Sequence, residues 1–228
     1  MNTLAKHVAE SGLADRIFNE AQLGELLGGS DARRYALVHR AVKDGSLIRL
    51  KRATYMLGQR SRSEGVHPFA AAQALLPGSY VSFETALAHH GWIPEAVVST
   101  ASVSPGRKTI IHDTPVLGHF TFQPLALREY QFLTSVDREK LGKLTAFIAR
   151  PLRALIDLVA LRKKHWSGMD WLTKGMRIDE DRLQSLRRKD FAALRPVYRH
   201  KAANDFLRSL EDAILTTRGA TKGRSSDD

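Results

Sequence analysis

The chain has 228 residues, with 35 lysines and arginines against 24 aspartates and glutamates, a formal net charge of +11 and no cysteine. Its length and 43% hydrophobic content predict one large or two small globular domains and exclude a disordered chain. The missing thiols exclude a disulfide framework, an iron–sulfur cluster, a thiolate zinc site and a cysteine nucleophile. No apolar run reaches the ~18 residues of a membrane span, and residues 1–10 hold no secretory h-region, so a cytoplasmic protein without a membrane partner is expected.

The first sixty residues carry an excess of four positive charges, residues 61–149 are neutral, and residues 150–201 carry an excess of eight. Leu4, Val8 and Leu13 predict a short helix, and Ile17-Phe18 is long enough only for an edge strand. Asn19 stands at an N-cap with Gln22 three residues on, and a helix over 20–27 ends at Gly28-Gly29. Ser30 caps a third helix over 31–44, after which 47–50 and 54–57 read as strands joined by the basic turn Lys51-Arg52-Ala53.

Helix, short turn, helix and hairpin is the winged helix-turn-helix order, expected over residues 1–60. At about 100° per residue, Tyr35, Val38, Ala41 and Val42 fall on one stripe of the third helix and are expected in the core. Arg33, Ala36, Arg40 and Lys43 fall opposite, long donors around one small residue that lets the backbone approach a groove floor. Arg34, at the edge of the core stripe, suits a phosphate, and Arg49, Lys51 and Arg52 in the wing suit phosphates or a minor groove. The expected partner is double-stranded DNA. The competing reading of these cations is an ordinary solvated helix face or a protein-docking module.

A polar stretch over 58–65 marks a boundary, followed by a domain over 66–217. His67-Pro68 opens a helix that Pro77 stops, Tyr80-Val81 is extended, and Ser82 caps a helix running to Gly91. Segments 97–103, 109–112 and 119–122 read as antiparallel strands, and the pattern is helical again beyond Pro151, with helices near 169–174, 181–188 and 202–216. The fold class is therefore α+β: an N-terminal winged helix-turn-helix domain, then a mixed α+β domain. Residues 218–228 have the composition of a disordered tail.

Three segments, Arg52-Ala53-Thr54-Tyr55, Tyr80-Val81-Ser82-Phe83-Glu84-Thr85-Ala86-Leu87-Ala88-His89-His90-Gly91-Trp92 and Arg150-Pro151-Leu152-Arg153-Ala154-Leu155-Ile156-Asp157-Leu158, resemble the AbiEi-type antitoxins of bacterial type IV toxin–antitoxin systems. The resemblance spans most of residues 10–215. It implies a winged helix that represses its own operon by binding inverted repeats, and a C-terminal domain that counteracts a nucleotidyltransferase toxin encoded beside it. The wing departs from the family pattern, which often has glycine after the arginine where Ala53 stands. The alternative function is a winged-helix regulator whose C-terminal domain senses a ligand or another protein.

Catalytic signatures are absent: no Gly-x-Ser-x-Gly elbow, no phosphate loop, no Gly-x-Gly-x-x-Gly and no His-Glu-x-x-His occurs. A non-enzyme without cofactor or metal is expected. His89 and His90, as neighbours on a helix, are expected to diverge, and His112-Asp113 and His119 are too isolated to define a metal site. The enzyme alternative is a divergent nuclease using Glu84, Asp113 and Glu139 with Lys140. Arg153 and Asp157, at i and i+4, are placed for a local ion pair that orients their helix. Arg187-Arg188-Lys189, Arg162-Lys163-Lys164, Arg195, Arg199 and Lys201 form the second basic region, read either as solvated helix faces or as a contact for DNA backbone or an acidic partner.

Overall fold

The computed structural model describes residues 3–223, with side chains described as far as residue 216. The fold is mixed α+β, and its hydrophobic residues sort into two cores.

The smaller core lies among α1 (Thr3–Glu10), β1 (Ile17–Asn19), α2 (Glu20–Leu27), α3 (Asp31–Lys43), β2 (Leu47–Lys51) and β3 (Thr54–Leu57). Asn19 Oδ1 accepts from the Gln22 amide and Gln22 Oε1 from the Asn19 amide, each at 2.9 Å, so two of the donors that a helix start leaves free are satisfied reciprocally. Gly28 and Gly29 take φ of 56° and 73°, which turns the chain sharply, and Ser30 Oγ accepts from the Arg33 amide to start α3. Both β1 and β2 pair antiparallel with β3 in the order β1-β3-β2, so β1 is an edge strand as its length suggested. Leu4, Val8, Phe18, Leu23, Ala41, Leu47 and Leu57 fill the space between helices and sheet.

Beyond a 3₁₀ turn (Gln59–Ser61), α4 (Pro68–Leu75), β4 (Tyr80–Val81), α5 (Phe83–His89), β5 (Thr100–Ser104), β6 (Ile110–Thr114), β7 (Gly118–Pro124), β8 (Val136–Leu141) and β9 (Leu144–Ala149) build the larger unit. Its six-stranded sheet has the order β6-β7-β5-β4-β9-β8. The expected all-antiparallel arrangement is corrected here. β5 and β7 run parallel because the β6 segment between them turns away to pair antiparallel on the outer side of β7, and β4 and β9 are parallel as well. The β8–β9 hairpin was not anticipated. β8 reads Val-Asp-Arg-Glu-Lys-Leu, a charged sequence that an edge strand tolerates and that hides its β character from an apolar pattern.

The apolar helix α6 (Pro151–Arg162) runs through the larger core, joined by a π-helical turn (Trp171–Gly175), α7 (Glu180–Gln184), α8 (Arg188–Leu194) and α9 (Lys201–Gly223). The tail expectation is corrected for residues 218–223, whose backbone continues α9; extending an existing helix fixes one residue per new hydrogen bond, without the cost of nucleation. Residues 224–228 lie outside the described residues. No helix among the described residues is long and apolar enough to cross a membrane.

At the centre of the larger unit the expected Arg153–Asp157 pair is fully buried. Arg153 Nε donates to Asp157 Oδ1 at 2.8 Å and Nη1 to the Thr134 carbonyl at 2.7 Å, while the hydroxyls of Tyr80, Ser82 and Tyr198 donate to the carboxylate at 2.9, 2.7 and 2.7 Å. Ser82 is thereby corrected as a cap: it makes no capping hydrogen bond because its hydroxyl is directed at Asp157. Burial next to this carboxylate drives the phenols of Tyr80 and Tyr198 well above their ordinary pKa.

The two units share a seam. Leu50 and Met56, from the hairpin, are buried in the larger core. Asp15 accepts from the amides of Ser63 and Glu64, from Ser63 Oγ and from Lys143 Nζ, which binds the first unit to the connecting loop and to the β8–β9 turn. Within the small unit the Gly58 amide donates to the Ser46 carbonyl at 2.8 Å, and a Cβ at Gly58 would stand 2.2 Å from the Gly45 carbonyl oxygen.

Candidate nucleic-acid interface

α3 buries Ala41 completely and half-buries Leu37, Val38 and Val42 against the smaller core. Arg33, Ala36, Arg40 and Lys43 are all exposed, as the helical spacing required. Tyr35 corrects the expected core stripe: it is 72% exposed. The buried stripe is turned toward Leu37, which leaves Tyr35 at its margin. One turn on, the His39 ring stacks on it, with centroids 6.2 Å apart and planes 25° apart. The exposed face of α3 therefore carries two stacked rings beside its cations, a feature that the i, i+4 spacing of Tyr35 and His39 held but charge alone did not single out.

The remaining cations differ in how free they are. Arg34 is tied down within its own unit, pairing with Asp31 and donating to the Gly29 carbonyl. Arg49 and Arg52 are exposed at the hairpin and border a groove of about 730 Å³ between α2, α3 and the β2–β3 hairpin, which Tyr35, His39 and Tyr55 also line. Burial, reinforced by the nearby Glu20 carboxylate, raises the pKa of the Tyr55 phenol. Arg40 Nε donates to the Ala36 carbonyl at 3.3 Å, which lays its guanidinium back along the exposed face.

Lys51 faces the other way. Its ammonium donates to the Leu75 carbonyl at the end of α4, at 2.6 Å, and its charge helps burial lower the pKa of His112 on β6. It belongs to the seam between the units, not to the row formed by Arg49 and Arg52. The turn itself is Arg52-Ala53, with Ala53 in the left-handed region at φ 58°. An alanine thus stands in the conformation that glycine adopts most cheaply.

The chain matches no family model and no curated protein.

The second basic region does not form one surface. Arg162 pairs with Glu84, Arg177 with Glu95, Lys174 with Asp170 and Arg195 with Glu211, while Arg153 is buried. Arg188, Lys189 and Arg208 border a separate cleft of about 820 Å³ with Arg128 and Arg195, which Glu211 and Asp212 also line.

The acids of the nuclease alternative do not converge. Asp113 pairs with His119 on the β6–β7 edge, Glu139 with His89 on the β8 edge, and Glu84 with Arg162. β6 and β8 are opposite edges of the six-stranded sheet, about 24 Å apart at ordinary strand spacing. Three carboxylates so distributed cannot hold one catalytic ion. The expected divergence of His89 and His90 is also corrected: α5 ends at His89, His90 follows as its C-cap, and their ring centroids lie 5.1 Å apart.

Proposed function

We propose that this protein is a DNA-binding transcriptional repressor whose first sixty residues are a winged helix-turn-helix, with α3 as the recognition helix and the β2–β3 turn as the wing. The observation that carries the reading is the division of α3, with Ala41 buried on one side and Arg33, Ala36, Arg40 and Lys43 exposed on the other. Arg33 and Arg40 contact base edges in a major groove, Lys43 and Arg52 contact phosphates, and Arg49 reaches the backbone from the wing. Lys51 has no DNA contact in this reading, because Leu75 holds it.

The larger unit is proposed as the antitoxin half, acting against a nucleotidyltransferase toxin encoded beside this gene, and without catalysis of its own. Support comes from the segments that resemble the AbiEi-type antitoxins. Residues 80–92 and 150–158 supply Tyr80, Ser82, Arg153 and Asp157, which meet in one buried network. The likeness thus lies in the residues that hold the sheet, α5 and α6 together, and the toxin-facing surface is left to be found by experiment.

The test is titration of the upstream promoter fragment with the full chain at several salt concentrations, beside a fragment of scrambled sequence. Tighter binding to the promoter is expected, with a steep salt dependence for both. Equal affinity for the two fragments would remove the repressor reading. Co-expression with the product of the adjacent reading frame tests the second half: growth restored by the full chain supports the antitoxin reading, and growth arrest in its presence removes it.

A further inference from the structure

Among the described residues, His89, His90 and Glu139 are the one set of three potential metal ligands whose donor atoms, one from each residue, lie within 4.8 Å of one another. They come from different elements. His89 ends α5, His90 caps it, and Glu139 stands on the inward side of the edge strand β8, between the exposed Arg138 and Lys140. His89 Nε2 and Glu139 Oε2 are 3.0 Å apart.

His90 is held in place by the backbone beside it. His90 Nε2 lies 2.9 Å from the Ala149 carbonyl oxygen. A carbonyl only accepts, so Nε2 carries the hydrogen and Nδ1 keeps its lone pair, the arrangement by which metal-binding imidazoles are oriented and made more basic. The Phe69 ring packs edge-on against His89, with centroids 5.2 Å apart, and walls the site toward α4.

We propose that His89, His90 and Glu139 bind a divalent transition-metal ion, with Zn²⁺ as the occupant. Two imidazoles and one carboxylate match the preference of zinc for nitrogen with a single hard oxygen, and leave one position for water. Calcium and magnesium, which take oxygen ligands, are disfavoured. Ligand atoms on a tetrahedral zinc stand about 3.4 Å apart given Zn–N distances near 2.1 Å. Rotation of the exposed His89 and half-exposed Glu139 side chains widens their 3.0 Å spacing and closes any longer separation within the set. The bound ion joins the end of α5 to β8 and displaces the His89–Glu139 hydrogen bond. The site stands apart from α3 and does not depend on the DNA-binding reading.

The experiment is titration of the chelator-stripped full chain with Zn²⁺ by calorimetry, with Co²⁺ as an absorbing substitute. One equivalent is expected to bind saturably, to raise the thermal midpoint and, as Co²⁺, to give visible absorption of a low-coordinate site. His89→Ala and Glu139→Gln, each checked for native circular dichroism without metal, are expected to weaken Zn²⁺ binding about tenfold or more. His119→Ala, on β7 near the other end of the sheet, is expected to leave it unchanged. No saturable binding by the parent chain, or equal affinities in the parent, His89→Ala and Glu139→Gln proteins, overturns the proposal.

Discussion

Asp15 and Lys143, 128 residues apart in the chain, meet at 2.5 Å and join the small N-terminal unit to the β8–β9 turn. The Lys143 ammonium, followed by the Ser63 hydroxyl and the backbone amides of Ser63 and Glu64, holds the Asp15 carboxyl well below the usual carboxylate range, against a smaller opposing effect of burial. A carboxylate whose pKa is lowered on folding contributes stability that is present above its unfolded value of about 3.9 and lost as pH falls toward the folded one. The protein should therefore lose stability between about pH 5 and pH 2. Urea midpoints measured across that range should fall more steeply for the parent than for Asp15→Asn; equal slopes would show that this contact does not couple the units to pH.

The buried network makes a second prediction about charge, as distinct from hydrogen bonding. Asp157→Asn keeps the shape of the side chain but leaves the Arg153 guanidinium, at 0% exposure, without a counter-charge. Breaking one partner of a buried pair costs about 3–5 kcal/mol. Tyr198→Phe removes only one hydroxyl from the carboxylate and should cost about 1.5–3 kcal/mol. Denaturant unfolding of the two variants checks the order; a larger loss for Tyr198→Phe would mean that charge compensation is not what the network provides.

In the β2–β3 turn, Ala53 holds φ 58°, a conformation that costs an L-residue roughly 1–2 kcal/mol. Glycine removes that strain and gives back part of it as chain entropy, so Ala53→Gly should stabilise the protein by about 0.5–1 kcal/mol. Thermal or denaturant unfolding reads the change directly. A destabilised Ala53→Gly protein would show that the Ala53 methyl makes contacts worth more than the strain.

Much of the small unit was legible in the sequence because its signals are local. Asn19 and Gln22 announce a capping box, Gly28-Gly29 a turn, and the spacing of Arg33, Arg40 and Lys43 one exposed face. What escaped depends on contacts made across the chain. Tyr35 is apolar by pattern yet lies outside the buried stripe, because the packing of Leu37 sets the rotation of α3. Lys51 reads as a wing cation until the Leu75 carbonyl, 24 residues on, is brought beneath it. In the larger unit the parallel pairing of β5 with β7, the charged edge strand β8 and the meeting of His89 with Glu139 are likewise set by topology, which periodicity within one segment does not encode.

The placement of Lys51 separates two kinds of basic residue in the DNA-binding reading. Arg33→Ala or Arg40→Ala should lower affinity for the promoter fragment by about 1–3 kcal/mol and relax its sequence preference, since each guanidinium is exposed on α3 and suited to a base edge. Arg52→Ala should weaken promoter and scrambled DNA alike and lower the magnitude of the salt slope by about one. Lys51→Met, by contrast, removes the donor to Leu75 and should leave the salt slope unchanged while lowering the unfolding midpoint, because the Leu75 carbonyl loses its partner at the seam. Binding curves at several salt concentrations, with thermal unfolding of the same preparations, distinguish these outcomes. A salt slope lowered by Lys51→Met as much as by Arg52→Ala would place Lys51 on the DNA and require the wing to swing away from α4 on binding. Unchanged promoter affinity in both Arg33→Ala and Arg40→Ala would remove α3 as the reading element.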